Sequence, residues 1–293
     1  SRRVSAVTET TVTAVVTPTA ATARWRLLAR RPTFLVGAAI LIFWVVCAIA
    51  GGSIASDSPL TQSLLSANTG PSAVHWFGTD QLGRDILARV ITGSRDILII
   101  TPLATLLGTL CGTVLGLAMG YFGGVLDLLA SRIVEAVLAL PSVIVAFLFI
   151  VALGPSEVTL VIVIGFIFTP LVARTVRAAV LAERHLDYLP AARLTGANAW
   201  SVMFVEILPN VLPAVLVEFS VRLGYAIFTV ATLSFLGFGI QPPTPDWGAD
   251  IAANYGVLAA GYWWETLFPA LAIASLIVAI NLITDSMEQV TSS

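Results

Sequence analysis

Residues 97–120 read ILIITPLATLLGTLCGTVLGLAMG, with no charged residue and with glycine at 108, 112, 116 and 120. About 20 apolar residues wound as a helix cross the hydrocarbon core of a bilayer, so the stretch predicts a membrane span. Glycine at every fourth position lays a flat ridge along one helix face, where a second backbone can approach closely. Gly108, Gly112, Gly116 and Gly120 are therefore expected to pack this helix inside a bundle. A wall of a translocation path is the other reading of the same ridge.

Working outward, five further stretches are apolar and long enough to span: 34–55, 132–153, 158–179, 211–236 and 265–285. The expected fold class is all-α, a polytopic membrane protein with six transmembrane helices. Composition agrees, because 57% of the 293 residues are hydrophobic and 11% are charged, whereas soluble domains carry roughly 25% charged residues. The expected organisation runs from a largely disordered cytoplasmic tail (1–33) through a first span (34–55) to an extracytoplasmic loop (56–96). A five-helix core follows (97–286), containing a cytoplasmic loop at 181–210 and an extracytoplasmic loop at 237–263. Residues 287–293 form a cytoplasmic C-terminus. The run RWRLLARRP, followed by apolar residues and AIA at 48–50, also resembles a signal peptide. The apolar run is nonetheless long enough to span.

Arginine placement orients the chain. Arg2, Arg3, Arg24, Arg26, Arg30, Arg31, Arg132, Arg174, Arg177, Arg184 and Arg193 fall on one side of a six-span alternation. Arg84, Arg89 and Arg95 fall on the other, and Arg222 lies within a span. Both termini and the 181–210 loop are thereby expected in the cytoplasm, in the inner membrane of a prokaryote.

The fifteen basic residues are all arginine. A phosphate-binding Walker A loop needs a lysine that reaches the β/γ-phosphates, so the chain holds no such ATP site. Schiff-base chemistry is excluded for the same reason. Cys47 and Cys111 sit in apolar runs and are expected as buried packing thiols. His75 and His185 are expected on opposite sides of the membrane, so they cannot share a metal ion. No cofactor or metal is expected on this chain.

Pro102, Pro141 and Pro170 interrupt spans, where each can kink a helix or serve as a hinge. Glu218 and Arg222 stand four apart within a span, in the favourable order for an ion pair on one face. Intramembrane charges normally face a bundle interior or a watery cavity, so this pair is a candidate for the pathway as well as for structure.

Residues 187–210, DYLPAARLTGANAWSVMFVEILPN, are polar and bear Pro and Gly. Pro190 suits the first position of a short helix. Ala191, Ala192 and Gly196 would give that helix a smooth face for close contact, with Asp187, Tyr188 and Arg193 towards water. Ile207-Leu208-Pro209 leads directly into the next span, so whatever grips the short helix can push on the membrane.

The pattern A-A-x-x-x-G followed by I-L-P resembles the EAA loop of the membrane subunits of binding-protein-dependent ABC importers. HWFGTDQLGRDILARVITGSR at 75–95 and LSFLGFGIQPPTPDWG at 233–248 are similar to segments of the C-type permeases of dipeptide and oligopeptide importers. YFGGVLDLLASRIVEAVLALPS at 121–142 is similar too, and the resemblance covers roughly 24–285. It departs at the loop's acidic first position, here Pro190, and at Glu218 and Arg222, where neutral residues are more usual.

The resemblance implies that Asp187, Ala191, Ala192, Arg193, Gly196, Ile207, Leu208 and Pro209 couple the chain to an ATPase. It implies a homologous B-type permease, one or two ATP-binding subunits that hold ATP and magnesium, and an extracytoplasmic substrate-binding protein. Arg84, Asp85 and Trp247, in the outward loops, are candidates for contact with that protein or with the second permease. The expected function is half of a translocation pathway for di- or oligopeptides. Nickel or a nickel chelate is the rival cargo. A secondary transporter or channel acting alone is a rival of another class, and a membrane-embedded enzyme finds no matching catalytic arrangement.

Overall fold

The computed structural model describes residue 28 and residues 31–54, 58–184 and 198–291. Eight helices account for most of them: α1 (Pro32–Ile54), α2 (Ile86–Phe122), α3 (Gly124–Leu138), α4 (Ser142–Leu153), α5 (Glu157–Glu183), α6 (Ala199–Phe235), α7 (Trp247–Asn254) and α8 (Trp264–Thr291). Among the described residues, extended pairing is limited to one isolated bridge, Thr79 with Asp85.

The glycine ridge on α2 lies against α5. A Cβ added at Gly108 would meet the Gly165 carbonyl oxygen at 2.9 Å, and one at Gly112 would meet that of Thr169 at 2.7 Å. One at Gly116 would meet the Ala173 oxygen at 2.7 Å, and one at Gly120 would meet the Val180 Cβ at 2.6 Å. The matched positions rise together along both helices, so α2 and α5 run parallel, nearly backbone to backbone. Close approach of this kind maximises dispersion contact, the main attraction between helices in lipid.

Two parallel neighbours require the chain between them to return. Glu157 opens α5 close enough to Asp96 for their charges to interact. From Ile97 to the end of α2 is about 37 Å at 1.5 Å per residue, more than the roughly 30 Å of a hydrocarbon core. The pair α3–α4 must therefore carry the chain back across. It was expected as one span over 132–153, but it is two helices bent by 89°. Pro141 is the cause, because it has no N–H for the preceding turn and drives Leu140 out of helical conformation. The Pro141 carbonyl then accepts the N–H groups of Ile144 (2.9 Å) and Val145 (3.2 Å), restarting the helix. Pro102 and Pro170, by contrast, sit inside continuous helices.

α6 runs the opposite way. Its early residues Val202, Met203, Ile207 and Val211 pack with Leu117, Val176 and Val180, while Ile227, Val230 and Leu233 pack with Ile86, Val90 and Leu160. α1 lies antiparallel to α8: Thr33 meets Ser286 (2.9 Å), and the Trp44 indole donates to Ser275 Oγ (2.9 Å). Five single helices and the bent pair are long and apolar enough to cross a membrane. The flanks of residues 185–197 lie at the same end of the bundle as Pro32 and Gln289.

One expected boundary and one expected burial differ. α2 begins at Ile86, eleven residues before 97, because Asp85 caps it by accepting the Ala88 N–H at 2.7 Å. An apolar scan starts at the last charge, whereas a helix starts at its cap. Cys111, expected buried, is exposed on the outward face of α2, while Cys47 is buried as expected. Gly112→Leu is expected to lower the stability of the detergent-solubilised protein by about 1–3 kcal/mol through overpacking. Gly52→Ala, at a glycine with open space around it, is expected to leave the thermal midpoint unchanged.

Candidate translocation and coupling site

Three regions contain the residues singled out in the sequence. The first is the end of the bundle where the loops before α2 and after α6 interlock. Asp80 accepts the backbone N–H groups of Leu82 and Arg84 (2.9 Å each) and the Arg84 Nε–H (2.6 Å). Asp85, the α2 cap, also pairs with His75 Nδ1 at 2.9 Å. The Trp247 indole donates to the Val90 carbonyl at 2.9 Å and packs edge-on against Trp44.

Arg84 and Asp85 are each 8% exposed, and Trp247 is 2% exposed. All three are turned inward: Arg84 and Asp85 bond within the loop before α2, and the Trp247 indole clasps the later loop to α2. An indole and a guanidinium near a loop tip read equally well as contact residues or as internal struts, and the sequence contains no sign of which.

Sequence reasoning missed the strongest link in this clasp. Arg89 Nε and Nη2 engage the Asp250 carboxylate, with Nη2 to Oδ1 at 2.5 Å, and Nη1 reaches the Pro59 carbonyl at 3.2 Å. Both partners are buried. Burial pushes the Asp250 carboxyl above its ordinary pKa, opposed by the charge of Arg89. Nearby, Asp246 caps α7 through the Ala249 N–H and accepts the Ser234 hydroxyl, each at 2.9 Å. Its burial outweighs these bonds and raises its pKa to about 6.

The second region is mid-depth on α6. Arg222 Nε (2.8 Å) and Nη2 (2.5 Å) both donate to Glu218 Oε1. The guanidinium also lies 5.6 Å from the centre of the Tyr225 ring. Arg222, Tyr225, Phe228 and Thr232 border a cavity of about 450 Å³ that Ser142 of α4 and Phe168 of α5 close from the other side. Ser220, Thr229 and Thr232 stand on the same helix and turn their hydroxyls back onto backbone carbonyls four residues earlier. The outward face of α1 differs, presenting Leu35, Ile42, Phe43, Val46 and Ile49.

The third region is the opposite end of the bundle, where α5 ends and α6 begins. Asp187, Ala191, Ala192, Arg193 and Gly196 lie outside the described residues. Their neighbours are described: Asn198 caps the start of α6 by accepting the Ser201 N–H at 2.8 Å, and Val202–Ile207 wind as a π-helix. Ile207 is buried, Leu208 partly buried and Pro209 exposed. π-helical turns often mark functional positions in otherwise regular helices. At the same end, Asp127 of α3 holds Arg177 of α5 through two bonds of 2.5 and 2.7 Å.

Comparison with known proteins gives these regions a setting. Residues 112–292 match the family described as "Binding-protein-dependent transport system inner membrane component". The chain is 38% identical over 269 residues to the dipeptide transport system permease protein DppC of Escherichia coli (strain K12), covering 90% of this chain and 89% of that protein. It is 36% identical over 266 residues to DppC of Bacillus subtilis (strain 168), covering 90% and 82%. The glutathione transport system permease protein GsiD of Pectobacterium atrosepticum is 38% identical over 221 residues, covering 75% and 73%.

Removing one member of the Arg89–Asp250 pair should be costly. Arg89→Met is expected to destabilise the protein by about 3–5 kcal/mol, because Asp250 is left buried without its partner. Arg89→Met/Asp250→Leu, which removes both charges, is expected to regain most of that loss. Thermal unfolding of the two variants beside the parent checks the difference.

Proposed function

The chain belongs to the binding-protein-dependent transport system inner membrane component family, and from that premise we propose that it forms half of an ATP-driven import pathway for di- or oligopeptides. One observation carries the reading: α6 sets an arginine, a tyrosine and two threonines along a cavity at membrane depth, where α1 presents hydrocarbon. An arginine facing lipid is costly, so this face belongs against water or protein. A pathway between two homologous permeases supplies both. Relatives named for dipeptides and for glutathione support a peptide cargo over nickel, and they are transport permeases rather than enzymes.

Energy enters from partner subunits. ATP and magnesium reside on one or two ATP-binding subunits, since this chain lacks the lysine of a phosphate loop. An extracytoplasmic binding protein delivers substrate to the outer end. Residues 1–33, 181–210 and 287–293 face the cytoplasm, in keeping with the arginine bias. The loops at 56–85 and 236–263 face outward.

The mechanical route from ATPase to pathway is short. Residues 185–197 join α5 to α6, and the π-helical start of α6 packs on α5 and on Leu117 of α2. Force applied at Ala191, Ala192 and Gly196 would therefore reach the parallel α2–α5 pair and the α6 face together. Closure of the ATPase pair would rock these elements as a packed unit, opening the path outward to receive substrate. Gly196→Trp is expected to leave the protein inserted and folded while abolishing uptake and weakening co-purification of the ATPase subunits. Uptake at the parental rate would contradict a docking role for this segment.

A further inference from the structure

The cavity beside Arg222 has the features of a specific subsite. Its volume, about 450 Å³, falls within the roughly 300–1,000 Å³ of small-molecule sites. It lies where α4 begins, because the Pro141 break stops one helix and starts another at membrane depth. Ser142 and Val143 both border it. Their N–H groups open α4, and no side chain caps that helix end. A half-helix beginning inside a membrane presents its partial positive end to an anionic group.

Arg222 adds a full charge on the facing wall. Its two bonds to Glu218 use Nε and Nη2 on a single oxygen, Oε1. Among the described residues Nη1 has no hydrogen-bond acceptor, so the guanidinium retains donor capacity while its charge is balanced. Tyr225 and Phe228, each more than half exposed, offer ring faces beside it. The α6 wall thus combines a cation and aromatic surface, and the facing α4 wall offers unmade backbone donors.

We propose that this cavity is a subsite for the C-terminal carboxylate of a short peptide, held between Arg222 and the N-terminus of α4, with an adjoining side chain against Tyr225 and Phe228. The inference rests on the peptide-import reading and adds to it a named binding group. Glu218 is a positioning residue: it fixes the guanidinium and keeps the empty site near neutral. A substrate carboxylate engages Nη1 without displacing that pair, so release requires no new charge to be buried. An arginine–carboxylate bond at partial burial is a charge-assisted hydrogen bond, about twice as strong as a neutral one.

The test uses the assembled complex, purified with its partner subunits and placed in nanodiscs, with dialanine and its C-terminal amide as probes. Binding is read by saturation-transfer NMR without the binding protein, so that protein's selectivity does not enter. The parent complex is expected to bind the acid about tenfold or more tightly over the amide, the difference one charge-assisted bond supplies. Glu218→Gln/Arg222→Gln, which removes both charges and leaves no carboxylate stranded, is expected to erase the difference.

Equal binding of acid and amide by the parent, an unchanged preference in the double variant, or no binding of either probe overturns the subsite. ATP-dependent uptake of dialanine by the parent, reconstituted with its binding protein, is measured in parallel. Absent uptake overturns the peptide reading itself and the subsite with it. Normal uptake without acid preference overturns the subsite alone.

Discussion

The close contact between α2 and α5 is the constraint from which the rest of the architecture follows. Gly108, Gly112, Gly116 and Gly120 leave no side chain between two backbones, and the helices pack parallel. Parallel neighbours cannot be joined by a tight turn. The intervening residues must return across the same depth, which is why α3 and α4 exist as a pair. Their return also brings the end of α5 to the side where α2 ends, close to Asp127 and the start of α6. A different helix at that ridge would move the connection to the opposite end.

The two ends of the bundle are built from different chemistry. Where the loops before α2 and after α6 meet, buried charges and indoles tie segments distant in sequence: Arg89 to Asp250, Trp247 to Val90, Gln81 to Ala253. These are directional bonds between rigid partners, and they make that end a clasp. At the opposite end, contacts between aliphatic side chains dominate, with the Asp127–Arg177 pair beside a π-helical turn. Aliphatic surfaces can slide by fractions of an ångström without losing bonds. The arrangement suits a lever that is driven at one end and anchored at the other.

Much of this was legible in the residues. Runs of about 20 apolar residues mark spans because lipid offers no hydrogen bonds to exposed backbone, and the glycine ridge announced a tight helix contact. Glu218 and Arg222 are paired as their spacing predicts. The break at Pro141 was less legible, because Pro102 and Pro170 carry the same residue type and leave their helices continuous. What differs is tertiary packing: α2 and α5 are gripped along their length by each other, whereas α3 and α4 are largely exposed. The Arg89–Asp250 pair joins positions 161 apart, and no local pattern encodes such a partner. The Trp247–Val90 bond was hidden for the same reason, since its acceptor lies on another element.

The central claim is that the α3–α4 return is a true crossing, which puts the α2–α3 junction and the connection from α5 to α6 on one side of the membrane. Single cysteines at Val125, exposed beside that junction, and at Ala192, in a background with Cys47 and Cys111 replaced, can be probed with a membrane-impermeant maleimide in right-side-out and inverted vesicles. The account predicts that both positions are labelled only in inverted vesicles. Labelling of 125 and 192 from opposite sides would mean that the bent pair does not cross, and would contradict the account.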